Sequence, residues 1–348
     1  MTNIAIVGAG TMGTMHAASC RDLPGARATW VVDPDLARAE SLAATVGARA
    51  TGELAAAFRA PDVDAVLIAA PTPFHRALTE AAAAAGKHVF CEKPIALSLD
   101  DARAMTDACR RADVRLMVGH VVRFFPEYAR IRDLLAAGTI GQVGVVRASR
   151  VNAYPQVERG WYANFDLSGG PILDMMIHDL DTLRWYFGEV ERVYARGLSY
   201  TPHRATIDHA LAILRFADGV VAHVETSWAH SGFRTAIEVA GSEGILRHAS
   251  EETAALRLEG SATATAMAGV QVPRSPLAES PYRAELRHFL ERLADGGAIL
   301  TDGDEAERSL AVALAVRESV RTERAIMFTD GWPQLAAGAV VGERRPAS

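Results

Sequence analysis

In the first third of the chain, short and almost wholly apolar runs alternate with longer alanine-rich stretches whose apolar positions recur at helical spacing. Ile4–Val7, Ala28–Val32, Ala65–Ala69, Val89–Cys91 and Arg115–Val118 read as strands buried on both faces, the pattern of a parallel sheet. Helices are predicted between them over Met12–Leu23, Leu36–Val46, Phe74–Ala85 and Leu99–Ala112, with Pro24-Gly25 and Gly86 as stops. Repeated strand–helix alternation with right-handed crossovers builds a doubly wound α/β domain of the Rossmann kind, here over residues 1–120.

After Gly119 the pattern changes. A helix over Glu127–Ala137 and a strand over Val143–Val151 lead through an aromatic, polar loop to a helix over Ile172–Phe187. Arg192–Leu198, Ala210–Phe216, Val220–Trp228 and Thr235–Ala240 then follow as strands with no helix between them, and Ala217-Asp218-Gly219 is a hairpin signal. Strand after strand predicts a C-terminal α+β domain on a largely antiparallel open sheet, spanning residues 121–330. Helices over Arg283–Ala294 and Asp304–Arg321 close it, and residues 331–348 read as a surface tail.

A chain of 348 residues fits two domains at roughly 150 residues each. The 36 basic and 42 acidic residues are well mixed, without a long single-sign block, which argues against nucleic acid or a membrane surface as partner. The longest apolar run, Ala65 to Pro71, is far short of the ~20 residues of a spanning helix. Cys20, Cys91 and Cys109 lack metal-type spacing, so neither a disulfide framework nor a metal is expected. The N-terminus enters a strand directly, with no signal-type core, and a cytoplasmic location is expected. One bias is sharper: every basic residue except Lys87 and Lys93 is arginine. Arginine does not deprotonate at ordinary pH, so a surviving lysine is a candidate for proton chemistry.

Gly8-Ala9-Gly10-Thr11-Met12-Gly13 follows a predicted strand and opens a predicted helix, the context in which a glycine-rich turn cradles a pyrophosphate. Gly8 serves the tight turn, Gly10 the approach of the phosphates, and Gly13 the packing of helix on strand. Asp33 ends the second strand, where its carboxylate can accept from the adenosine ribose hydroxyls. That favours NAD over NADP, whose 2′-phosphate would meet a like charge. Ala70-Pro71-Thr72 with His75 follows the fourth strand, and Glu92-Lys93-Pro94 the next, so both lie at carboxyl ends of strands, where such sheets bind ligands. Pro94 restricts Lys93 to an extended conformation. Farther on, Asp174, His178 and Asp181 stand at i, i+4 and i+7, on one face of a regular helix. A carboxylate beside an imidazole on one face suits an oriented base.

Together these elements resemble the Gfo/Idh/MocA family of oxidoreductases over almost the whole chain. The family's Glu-Lys-Pro signature is met at Glu92-Lys93-Pro94, and its Asp-x-x-x-His-x-x-Asp motif at Asp174, His178 and Asp181. The resemblance implies NAD(P)-dependent oxidation of a secondary hydroxyl on a sugar, inositol or related cyclic polyol. It also implies a homodimer or homotetramer assembled through the C-terminal sheet. Met175-Met176-Ile177-His178-Asp179 and the segment Met117 to Phe124 lean toward the inositol dehydrogenase branch. Pro171, Met176 and Ala70 depart from many members, the last removing a hydroxyl that could bond the cofactor.

In the mechanism this implies, His178 is general base, Asp174 orients it, and Lys93 hydrogen-bonds the reacting oxygen. Arg123, Asn152, Tyr154, Trp161 and Tyr282 are candidates to read the substrate beside those three. Two other readings share the motifs. One is an NAD-dependent, redox-assisted glycosidase with no net cofactor reduction; the other is a non-catalytic nucleotide-sensing regulator.

Overall fold

The computed structural model describes residues 1–154, 164–199, 207–251 and 279–335. The chain divides into two compact units, the first made of residues 1–124 and 274–307, the second of residues 125–273 and 308–348.

The first unit carries a six-stranded parallel sheet formed by β1 (Thr2–Val7), β2 (Ala26–Val32), β3 (Arg49–Thr51), β4 (Ala65–Ile68), β5 (His88–Glu92) and β6 (Leu116–Gly119), in the order β3-β2-β1-β4-β5-β6. The helices are α1 (Thr11–Asp22), α2 (Leu36–Val46), the short α3 (Leu54–Phe58), α4 (His75–Ala84) and α5 (Leu99–Arg111). The order reverses between β1 and β4, so the carboxyl ends of those strands open a crevice at the switch point. β3 and α3 escape the sequence reading because Arg49–Thr51 is short and half-buried and the alanines of Leu54–Phe58 carry no periodicity.

The boundary expected at residue 120 is only part of the division, because the chain returns to the first unit after its excursion into the second. α9 (Pro281–Asp295) places Leu286, Phe289 and Leu290 in the same core as Ile4, Ile6, Leu67, Phe90 and Met117. The Phe289 and Phe90 rings meet edge to face at 5.8 Å. The helix is amphipathic whichever core receives it, so its sequence does not specify which unit it joins.

The second unit holds α6 (Pro126–Ala136), α7 (Phe165–Ser168) and α8 (Ile177–Phe187) beside an eight-stranded mixed sheet. Its strands are β7 (Val143–Ala153), β8 (Val190–Leu198), β9 (His209–Phe216), β10 (Val221–Ser227), β11 (Ala229–Gly241), β12 (Gly244–Ala249), β13 (Ile326–Thr329) and β14 (Trp332–Pro333). They lie in the order β12-β11-β7-β10-β9-β8-β13-β14, antiparallel throughout except that β7 and β10 run parallel. Even-numbered residues of β9 and β10 are buried (Ala210, Ala212, Leu214, Ala222, Val224) while their odd-numbered neighbours face the other way. Residues 331–333 close the β13–β14 hairpin instead of beginning a tail, and residues 336–348 lie outside the described residues. α10 (Gly303–Thr322) carries the chain from the first unit into the second.

Candidate active site

The turn after β1 is shaped by two glycines that nothing larger can replace. Gly8 has φ +101°, and a Cβ there would stand 2.7 Å from the Ala69 carbonyl oxygen. A Cβ on Gly13 would run into the Gly8 carbonyl oxygen, so its bare backbone is what lets α1 pack on the turn. Gly10 differs: a Cβ there meets nothing within 4 Å. Packing does not require glycine at that position, and the space it leaves is what an approaching phosphate needs. Gly10 also caps α1 with no side-chain hydrogen bond, so the first amides of the helix, at Thr11, Met12 and Gly13, remain available to an anion. These features fit a dinucleotide's pyrophosphate.

Asp33 stands where β2 ends and is nearly buried. Its Oδ2 accepts the Ala9 amide at 2.8 Å and its Oδ1 the Asp35 amide at 2.9 Å, fixing the carboxylate against the glycine turn. Each oxygen keeps a further lone pair for a ribose hydroxyl.

The rim at β4 and β5 is tied together by a residue whose role differs from the one its sequence suggests. His75 is fully buried, and its ring faces only backbone carbonyls: Nε2 is 2.9 Å from Ala70 O, and Nδ1 is 3.0 Å and 3.2 Å from Pro94 O and Ile95 O. Burial pushes its proton affinity down, and the carbonyl oxygens oppose that. The imidazole therefore joins the loop of Ala70, Pro71 and the buried Thr72 to the segment after Lys93; no ring nitrogen is left for a cofactor.

Glu92 is likewise engaged within the protein. Its Oε1 lies 2.6 Å from Nε2 of His16, which is fully buried on α1, and its Oε2 accepts the Lys93 amide at 3.2 Å. Burial alone would raise this carboxyl; the His16 hydrogen bond and the Lys93 charge outweigh it and hold it below the usual range. Direct contact with the cofactor is thus not what occupies the Glu92 carboxylate. It anchors the backbone of Lys93, whose bond to Pro94 is cis. Lys87, the other lysine, caps the Ala60 and Val63 carbonyls at 3.1 and 2.7 Å, so its retention has a structural reason.

In the second unit the expected regular helix begins with a wider turn. Ile172–Met176 is π-helical and α8 takes over at Ile177. Such turns recur at functional sites. From Ser168 to Arg184 every residue is buried except Asp174 and His178. Asp181 does not join them: it is buried, and it accepts the Ser309 hydroxyl at 2.8 Å. The neighbouring Asp179, which the motif leaves unassigned, forms a buried two-pronged pair with Arg150 of β7 at 2.9 and 3.0 Å. That pair clamps α8 to the sheet and so sets the position of His178.

The expected substrate-reading residues divide. Arg123 is buried in the first unit, donating to Leu300 O at 3.0 Å and Glu305 at 2.9 Å, which commits its guanidinium to holding the chain that returns there. Tyr282 sets its ring edge-on to His16 at 6.1 Å. Asn152 is half-buried with its Oδ1 accepting the Ala153 amide, and Tyr154 packs edge-on against the buried Trp228 at 5.4 Å. Trp161 lies outside the described residues. His16, Arg150 and Trp228 had no distinguishing signal in the sequence, because a partner many residues away gives each its meaning.

Comparison with known proteins agrees with this architecture. Residues 2–120 match the model of an oxidoreductase family with an NAD-binding Rossmann fold, and residues 128–247 match the GFO/IDH/MocA C-terminal domain. The chain is 30% identical to the myo-inositol 2-dehydrogenase of Thermotoga maritima over 94% of its own length and 98% of that protein's. It is 33% identical to the D-apiose dehydrogenase of Paraburkholderia graminis over 92% of its length and 88% of that protein's. Among solved structures, GenD2 from gentamicin A biosynthesis, in complex with NAD, superposes with a TM-score of 0.84 at 26% identity, covering 94% of this chain and 96% of that one. A myo-inositol dehydrogenase from Corynebacterium glutamicum gives 0.82 at 27% identity, covering 94% and 99%. With its glycine turn, its Glu-Lys-Pro rim and its Asp-His helix matched by family models in both units, this chain belongs to the Gfo/Idh/MocA family of NAD-dependent oxidoreductases acting on CH–OH groups.

Proposed function

We propose that the chain oxidises a secondary hydroxyl of a sugar, an inositol or a related cyclic polyol, with NAD preferred to NADP. The observation that carries this reading is that, between Ser168 and Arg184, Asp174 and His178 alone stay part-exposed. A carboxylate and an imidazole about one turn apart, both reachable and held by a clamped helix, are the parts of an oriented base. NAD, when bound, supplies the acceptor for the hydride that leaves the carbinol carbon. His178 takes the hydroxyl proton, Asp174 fixes the ring and supports its positive charge, and Lys93 stabilises the reacting oxygen. Asn152, Tyr154, Trp161 and Tyr282 complete the proposal as substrate-reading residues. The inositol and apiose dehydrogenases among the relatives support a polyol or sugar.

The test follows reduced-nicotinamide absorbance with NAD and NADP separately, across inositols, aldoses and sugar acids. NAD reduction by a cyclic polyol is expected. His178→Ala should lower turnover about 10²–10⁴-fold, the usual worth of a positioned base. Lys93→Arg should abolish turnover and leave NAD binding, read by fluorescence, unchanged. Undiminished activity in His178→Ala overturns the assignment, and a marked preference for NADP overturns the role given to Asp33.

The same proposal includes self-association as a dimer or tetramer through the second unit's sheet. On the face carrying the odd-numbered residues of β9, Leu211 and Ile213 are 52% and 44% exposed, and Tyr194, Leu198 and Met327 stand beside them at 37%, 51% and 42%. An exposed apolar face of this kind is the usual mark of a subunit contact. A reducing, cytoplasmic setting fits the buried free thiols Cys20, Cys91 and Cys109. Among the described residues no helix is long and apolar enough to cross a membrane.

A further inference from the structure

The second unit carries a group of side chains that the dehydrogenase reading does not use. His209 opens β9, Glu225 lies on β10 and His230 follows the first residue of β11, and one ligand atom from each lies within 4.8 Å of the other two. His209 and Glu225 belong to the odd-numbered set of their strands, so they point away from the face that buries Ala210, Ala212 and Val224.

The third ligand arrives through an irregularity in the sheet. β11 pairs with β7 at Ala229↔Ala153 and next at Arg234↔Val151, so residues 230–233 are extra chain opposite the single residue Asn152. A bulge of this kind re-aims the side chains it contains, and here it brings an imidazole to the first two ligands. No spacing in the sequence announces the group, because the three residues come from separate strands and an irregular pairing.

The three ligand atoms are close enough to converge on one ion without already being closed on each other. His209 Nε2 stands 3.9 Å from Glu225 Oε1, well beyond the 2.7–2.9 Å of a charge-assisted hydrogen bond. Two donors bound tetrahedrally to one zinc at about 2.0–2.2 Å lie about 3.4 Å apart, a closure that a small rotamer adjustment supplies. In the single chain the side chains are part-exposed, at 22% for His209 and 35% for Glu225, so an ion has a route in before that face meets a second copy. Two imidazoles and a carboxylate, with room for water as fourth ligand, suit a first-row divalent cation and zinc above all, whereas calcium and magnesium call for oxygen ligands.

We propose that His209, Glu225 and His230 form a zinc site that ties the bulge of β11 to β9 and β10, on the face of the sheet opposite the one that is packed against helix. The inference does not rest on the dehydrogenase reading, and its test needs no activity. Untagged full-length protein, stripped with a chelator, is titrated with zinc alone by calorimetry and by competition with a chromophoric chelator, and its melting temperature is followed. One zinc per chain and a raised melting temperature are expected. His209→Ala, Glu225→Gln and His230→Ala should each weaken binding by at least about tenfold, more than the loss of an outer-shell partner usually costs at its mildest. His223→Ala, on the same face of β10 and outside the group, should bind as the parent does. Circular dichroism confirms that each variant is folded, and His230, part-exposed in the irregular stretch of β11, is not a core residue. Absence of saturable binding, or binding unchanged across the three ligand variants, overturns the site.

Discussion

Individual histidines in this protein are defined by what their ring nitrogens meet. His16 and His75 serve the rim of the crevice, one holding the carboxylate that anchors Lys93 and the other joining two loops. His88 and His288 do something different: Nδ1 of His88 accepts the Arg115 amide at 3.1 Å, and Nε2 of His288 accepts the Leu300 amide at 3.0 Å. Each bond requires an unprotonated nitrogen. Burial first, and then Arg115 and Arg292 respectively, push both rings below the usual histidine range. In the unfolded chain these groups bind protons near pH 6.5, and in the folded chain only at lower pH, so acidification favours unfolding. Their contribution is complete above about pH 7 and declines as pH falls below about 6.5 toward their folded values. Denaturation midpoints measured from pH 8 to pH 5 should fall over that range. In His288→Gln, where an amide oxygen can still accept from Leu300, the decline should be shallower.

At the level of elements, the glycine turn and the clamp on α8 separate functions that a sequence motif merges. Gly8 and Gly13 are required by backbone contacts, while Gly10 has open space around it. Gly10→Ala should therefore leave the melting temperature of the NAD-free protein unchanged and weaken NAD binding by about 1.4 kcal/mol or more, a factor of at least ten. An equal loss of stability and of binding would show that packing and not the cofactor needs this glycine. The Arg150–Asp179 pair makes the opposite prediction. Both groups are buried and doubly bonded, so Asp179→Asn strands a guanidinium and should cost about 3–5 kcal/mol in urea denaturation. Arg150→Met combined with Asp179→Leu should recover much of that loss, since an apolar pair of similar volume avoids the desolvation of two charges. Because the clamp sets where His178 stands, the double variant should remain folded and still turn over poorly.

For the molecule as a whole, the arrangement of strands decides which surfaces are exposed. The β8-β9-β10 region of the second sheet presents Tyr194 directly across from Ile213, and Arg196 across from Leu211, on one face. Leu211→Glu places a charge in the middle of that face and should shift the protein toward monomer in light scattering, with the melting temperature of the isolated chain little affected. A monomer in the parent protein would remove self-association from the proposal.

Much of this was legible along the chain, because short-range physics wrote it there. Apolar runs and alanine-rich stretches place the strands and helices of the Rossmann unit to within a few residues, and the glycine turn, the Glu-Lys-Pro rim and the Asp174–His178 pair stand on elements that local pattern predicts. What the sequence by itself determined is therefore the longer elements and the residues at their ends, while short ones such as β3 and α3 left no local pattern. Tertiary structure alone decided how those residues are used. It turned His75, Glu92 and Arg123 inward, each satisfying a buried partner that lies at least 19 residues away or in an adjacent backbone amide. It buried Asp181 beside Ser309 while Asp174 and His178 stay part-exposed, and it returned α9 to the first core. The reason is the same in each case: a buried polar group must find a partner, and the chain's path through space, not its order, determines which partner is within reach.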